Sequence, residues 1–287
     1  MKRLLLTGLL VGCSLIMLNS CGQDGSKTAA KEGTEASASA ESDAASALSE
    51  ESTRSETEKE RAASVVNGEI TKENLAAVSE ALKAAGLSRV DLFEDWVTAY
   101  ANGIPEDTET SGFADPDCRM TVMLLAGESI RYKEVEKEYK GTYLMFDMDA
   151  IENQEEYRVL KEQASLFATL FGEHPISKRG FSETFPDTWK RCGISFDNDK
   201  ASIISIVFQT MEGTEAYVGH TGILVPYGDG YLFVEKLAFS EPYQVTKVGD
   251  AGELIDIFSA RPDYQTEAEE PAPLVYENAA LIGELNK

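Results

Sequence analysis

The sequence predicts an α+β domain in which helical segments come first and an antiparallel meander follows. Three observations predict it. Apolar residues recur at helical spacing from Leu75 through Leu170. From Ile194 onward, β-rich runs succeed one another. Between two of them, Tyr227-Gly228-Asp229-Gly230 reads as a hairpin turn. Helices followed by sequential strands is the α+β layout.

Residues 1–20 read as a lipoprotein signal peptide. Met1-Lys2-Arg3 is a basic start, and Leu4 to Leu18 is an apolar run too short for a stable span. Leu18-Asn19-Ser20-Cys21-Gly22 then resembles a bacterial lipobox, with Cys21 as the lipidated residue. Leu10-Val11-Gly12-Cys13 also matches but leaves too short an apolar region before it. An ordinary signal peptide with a stray cysteine is the alternative. Diacylglyceryl modification of Cys21 would anchor the protein stably to the extracytoplasmic face of the cell membrane. Residues 21–64 are Ala, Ser, Glu, Lys, Thr and Gly with almost no large apolar side chain, the composition of a flexible tether.

The folded domain is expected over residues 65–287. Thr71 reads as an N-cap for a helix bearing Leu75, Val78 and Leu82, with Gly86 at its C-terminal cap. Ser88 is expected to cap a second helix carrying Phe93, Trp96, Val97 and Tyr100. A polar loop covers Asn102 to Asp117. Past Pro116, a nearly all-apolar run suits a buried helix, with Cys118 in its first turn. Tyr143 to Phe146 reads as a short strand, Asp149 as the cap of a long helix through Leu170, and His174-Pro175 as a loop. A short helix near Pro186 turns Trp189 inward. Strands are expected at 194–196, 202–209, 217–226, 231–237 and 243–248. A helix capped by Asp250 and an edge strand Leu274 to Glu277 follow.

The chemistry concentrates on three residues. Cys118 stands at a helix N-terminus, where partial positive charge favours thiolate and unpaired N–H groups can hold an oxyanion. His220 and Glu235 fall on the same face of the hairpin if its loop has two or four residues, because side chains alternate along each strand. Cysteine, histidine and carboxylate are the parts of a nucleophile, its base and an orienting group. Against this stand a Cys118–Cys192 disulfide, a merely buried Cys118, and a structural His220 with Glu235 paired to a neighbour such as Arg119.

Asp117-Cys118, His220-Thr221-Gly222-Ile223 and Phe233-Val234-Glu235 loosely resemble the papain-like, NlpC-type cell-wall peptidases. That resemblance implies a central helix opening on the cysteine, packed on an antiparallel sheet bearing the other two residues. Members usually carry Ser-Gly after the cysteine, where this chain has Arg119-Met120. A closer resemblance covers the whole mature domain. Asp117-Cys118-Arg119-Met120-Thr121, Ala201-Ser202-Ile203-Ile204-Ser205, Gly219-His220-Thr221-Gly222 and the run Phe233 to Val245 look like a Gram-positive lipoprotein family catalogued as domain of unknown function 4300. That family implies no established activity.

Other classes are disfavoured. The net charge of −24 argues against nucleic acid and against adhesion to anionic lipid. Two histidines without a cysteine or carboxylate at ligand spacing make a metal site improbable. No phosphate loop, dinucleotide fingerprint or serine elbow is present. The expectation is therefore a monomeric, lipid-anchored cysteine hydrolase or transferase using Cys118, His220 and Glu235 on an amide such as a cell-wall peptide, without a cofactor. The alternative is a non-catalytic envelope lipoprotein binding a peptide, glycan or protein.

Overall fold

The computed structural model describes residues 67–101, 116–135 and 138–286. The expectations for the signal peptide, Cys21, the tether and the 102–115 loop lie outside these residues. Among the described residues, no helix is long and apolar enough to cross a membrane.

An antiparallel sheet organises the domain. Its order is β1-β8-β7-β6-β5-β9-β10, and the short β3 also pairs with β6. The strands are β1 (Gly68–Glu69), β3 (His174–Pro175), β5 (Ser202–Gln209), β6 (Glu215–Tyr227), β7 (Gly230–Lys236), β8 (Tyr243–Val248), β9 (Leu274–Glu277) and β10 (Ala280–Glu284). A separate pair joins β2 (Ile130–Arg131) to β4 (Ser195–Phe196).

The β6–β7 hairpin closes over two residues, with Tyr227 paired to Gly230. Gly228 takes φ 62°, the left-handed first position that a primed hairpin turn requires. The loop is therefore even, as the shared face of His220 and Glu235 demands. Gly228-Asp229, rather than Asp229-Gly230, forms the turn.

The two sheet faces are covered unequally. Ile223, Val225, Leu232, Val234 and Val245 face a large helical layer. That layer holds α1 (Leu75–Ala84), α2 (Val90–Ala101), α3 (Cys118–Ala126), α4 (Met145–Asn153), α5 (Arg158–Lys161), α6 (Ala164–Phe171) and α7 (Thr184–Cys192). Ile204, Ile206, Leu224, Phe233 and Val248 face the other way, under Leu254 and Phe258 of the single short helix α8 (Glu253–Ser259). Full burial of such side chains contributes about 1.5–3 kcal/mol each.

Helix α3 sits in the middle of the larger layer. Every one of its residues except Arg119 is buried, as expected of a helix apolar on all sides. Asp117 caps it, accepting from the Met120 N–H at 2.9 Å, while Thr121 Oγ1 donates to the Asp117 carbonyl at 2.8 Å.

Several expectations are corrected. Tyr143 to Phe146 is not a strand but leads into α4. The long helix expected from Asp149 is broken: Gln154 is extended at φ −104°, ψ 130°, and a 3-10 turn follows. That break turns Tyr157 inward, edge-on to Trp96 at 5.5 Å. Ser88 does not cap α2; its hydroxyl donates to the Leu125 carbonyl at 3.1 Å. His174-Pro175 is strand rather than loop, with His174 opposite Ala216. Strand β9 is interior, because β10 pairs outside it through an unanticipated hairpin with Asn278 at φ 52°.

Lys236 is fully buried. Its Nζ donates to the carbonyls of Ala238 (2.9 Å), Phe239 (3.0 Å) and Glu241, and lies 4.1 Å from the Tyr100 ring centre. The ammonium thus gathers the turn after β7. Lys236→Met should cost roughly 2–4 kcal/mol, since charged hydrogen bonds are lost and carbonyls left unpaired. Urea unfolding measures this; a change below about 0.5 kcal/mol would show that the turn does not depend on the ammonium.

Candidate functional site

The site forms where one edge of β6 is interrupted. Strand β7 covers that edge from Gly222 to Tyr227, and β3 covers it at Glu215 and Ala216. Among the described residues, no strand lies along it between 217 and 221. The first turn of α3 docks there instead. Arg119 Nη1 donates to the Val218 carbonyl at 3.2 Å, and the backbone N–H of Thr221 is directed at the Cys118 sulfur.

His220 and Glu235 meet on the α8 face. Gly222 lies opposite Glu235, so His220 is its diagonal neighbour. His220 Nε2 is 2.6 Å from Glu235 Oε2, which leaves Nδ1 as the other ring nitrogen. Both side chains are almost completely enclosed. Two glycines flanking His220 and Thr221 make room for phenylalanine rings. A Cβ on Gly219 would stand 2.5 Å from the Phe208 ring, and one on Gly222 would lie 2.4 Å from the Phe233 ring. The Gly219-His220-Thr221-Gly222 run therefore lets Phe208 and Phe233 lie against the backbone on either side of His220 in the chain.

Glu235 has a second partner absent from the sequence reading. Arg261, just after α8, grips it with two hydrogen bonds: Nη1 to Oε2 at 2.8 Å and Nη2 to Oε1 at 2.5 Å. Burial pushes the carboxyl up, but hydrogen bonds from Arg261 and then His220 outweigh it and hold the group at about 2. Tyr264 completes the cluster. Its ring lies 5.4 Å from the His220 ring, and Arg261 Nη1 reaches its hydroxyl at 3.3 Å.

Cys118 is only 4% exposed. Burial, and after it the negative charge of Asp117, push its thiol up to about 12; Arg119 and the Thr221 N–H pull the other way and do not win. The helix N-terminus alone would favour thiolate, but desolvation is the larger effect here. Among the described residues, no hydrogen bond joins Cys118 to His220. Cys118 and Cys192 are each buried, and no disulfide joins them.

Beside the thiol, Arg119 bridges two buried carboxyls. Its Nη2 lies 2.7 Å from Asp117 and 3.1 Å from Asp147 of α4. Burial first, then Asp117, raises Asp147 to about 9, while Arg119 helps hold Asp117 below the usual range against burial. The two carboxyls are coupled, and burial beside the Asp117 charge disfavours ionisation of Asp147.

His174, singled out only as a loop residue, is buried away from this cluster with Nε2 2.8 Å from the Thr169 carbonyl. Among the described residues, no group of three or more His, Cys, Asp or Glu is placed to hold a metal ion. Sequence reasoning missed Arg261, Tyr264 and Asp147. None carries a local signal, since Arg261 lies 26 positions beyond Glu235 and reaches it only through the packing of α8.

A family model described as a domain of unknown function, DUF4300, matches residues 104–282. No curated protein and no solved structure matches the chain.

Proposed function

We propose that this chain, which belongs to the DUF4300 family, is a lipid-anchored extracytoplasmic thiol hydrolase or transferase acting on an amide, with a papain-like, NlpC-type arrangement. One observation carries the reading. His220 is held by Glu235 at 2.6 Å, and the next residue, Thr221, points its N–H at the Cys118 sulfur. The ordered imidazole–carboxylate pair, next in sequence to the backbone group that faces the thiol, supports the reading.

In this reading the Cys118 proton passes to His220 Nδ1. The thiolate adds to the amide carbonyl carbon, and the first-turn N–H groups of α3 receive the oxyanion. The imidazolium returns its proton to the departing amine, leaving a thioester. Water, deprotonated by His220, then releases the acid and restores the thiol. Glu235 holds the ring by Nε2, and Arg261 keeps Glu235 ionised. Cell-wall peptide is the substrate class suggested by the expected location and by the resemblance.

A specific observation favours a second reading, a non-catalytic envelope lipoprotein that binds a peptide, glycan or protein. The thiol is buried and pushed up to about 12, the opposite of an activated nucleophile. Peptide-resolved iodoacetamide labelling across pH separates the two, with buried Cys192 as internal reference. The catalytic reading expects Cys118 to label in the native protein with an apparent pKa below the unperturbed ~8.5. His220→Ala should slow that labelling at pH 7 by about ten-fold or more. If Cys118 stays unmodified until the protein unfolds and ignores His220→Ala, the non-catalytic reading stands.

A further inference from the structure

A cavity of about 410 Å³ lies apart from Cys118, His220 and Glu235, none of which lines it. Four parts of the chain enclose it: the 138–142 segment, the end of α6 with β3, Arg191 of α7 and Glu215 at the start of β6. This volume is within the range of small-ligand sites.

One wall is tied in place. Glu173 accepts from the Thr142 N–H at 2.5 Å, the Tyr143 N–H at 3.0 Å and the Tyr139 hydroxyl. Gly141 is required for that closure, because a Cβ there would run into the Glu173 carboxylate. Glu173 is thereby committed to the wall. On the same 138–142 segment, Lys140 lies 3.8 Å from Glu138.

Two charged wall residues are left over. Arg191 and Glu215 both line the cavity, yet neither is among the ion pairs of the described residues, with each other or with any third group. A simple anion would meet Glu138, Glu173 and Glu215. A simple cation would meet Arg191 and Lys140. A ligand carrying both charges satisfies both walls. The guanidinium of Arg191 suits a carboxylate, which it can grip with two parallel N–H groups. Glu215 suits an ammonium.

We propose that this cavity binds a zwitterion of amino-acid to dipeptide size, its carboxylate on Arg191 and its ammonium on Glu215. The site is independent of the thiol reading and does not require it.

Calorimetric titration of the full chain tests this, with dialanine, its N-acetyl form and its C-terminal amide as probes. Dialanine should bind saturably, and removing either charge should weaken binding by about ten-fold or more. Arg191→Ala should erase the preference for dialanine over its amide. Glu215→Gln should erase the preference over the N-acetyl form. No binding of dialanine up to about 10 mM, which is weaker than the weakest useful affinity, overturns the proposal. So does equal binding of the three probes by the unmodified protein, a result that needs no variant to fold. Retention of both preferences in the two variants overturns it as well.

Discussion

Replacing Arg261 with methionine should cost about 3–5 kcal/mol of folding stability, because it removes one partner of a buried ion pair and leaves the other charge uncompensated. Glu235 is 1% exposed. Without the guanidinium its remaining side-chain partner among the described residues is His220 at 2.6 Å. The doubly changed Glu235→Gln, Arg261→Met should recover part of the loss, since no bare charge remains. Denaturant unfolding of the two variants measures this, and equal stability of the single and double changes would refute the account. The same carboxyl predicts an acid limb. Its folded pKa is about 2, against an ordinary 4.5. Because the folded value is the lower one, the stabilisation is fully present above about 4.5 and is lost as pH falls towards 2. The full effect is about 3 kcal/mol. Glu235→Gln should flatten the acid limb; an unchanged limb would mean that other carboxyls govern acid unfolding.

Gly222→Ala should be the most damaging of the glycine substitutions near the site. The added Cβ would meet the Phe233 ring at 2.4 Å and the Val234 carbonyl oxygen at 2.8 Å. The ring has nowhere to retreat, because Phe258 packs against it at 5.4 Å. Overpacking of this kind costs about 1–3 kcal/mol and sometimes more. At Gly228 a Cβ meets nothing within 4 Å, so Gly228→Ala should cost only the left-handed backbone term, about 1–2 kcal/mol. Adding Phe233→Leu should relieve the Gly222→Ala ring clash in part. Thermal unfolding decides it: Gly228→Ala proving the worse of the two would contradict the packing argument.

Period and turn chemistry made much of this architecture legible. Strands β5 and β8 begin and end where alternation and flanking polar residues put them. The even hairpin register, and with it the meeting of His220 and Glu235, follows from a two-residue turn. The illegible parts depend on contacts between distant segments. The run 143–146 has β-favouring residues, but Asp147 is drawn to Arg119 and the segment starts a helix. The β9–β10 turn uses Asn278-Ala279, which lacks the glycine that announces such hairpins. The electrostatics of Cys118 are the clearest case. A cysteine at a helix start looks activated, yet the outcome depends on how completely the rest of the fold covers it, which spacing does not encode. The carboxylate of Glu235 was legible, but Arg261 was not, because only the docking of α8 brings it within reach.

The two-residue strand β1 at the sheet's edge governs how the domain meets force. Any tension on the chain N-terminal to Asn67 enters through β1, which is two residues long and pairs only Gly68 with Val245 and Glu69 with Gln244. Beyond that, Asn67 Oδ1 accepts from the Lys247 N–H at 2.7 Å, and Ile70 donates to the Tyr243 carbonyl at 2.8 Å. A pull directed away from the sheet would break these bonds one after another, like a zip, and then meet Ile70, which is buried to 2% exposure. A few backbone bonds at the border would thus yield first and lengthen the chain slightly. The strands that carry Glu235 and His220, two and three places further into the sheet respectively, would stay unloaded.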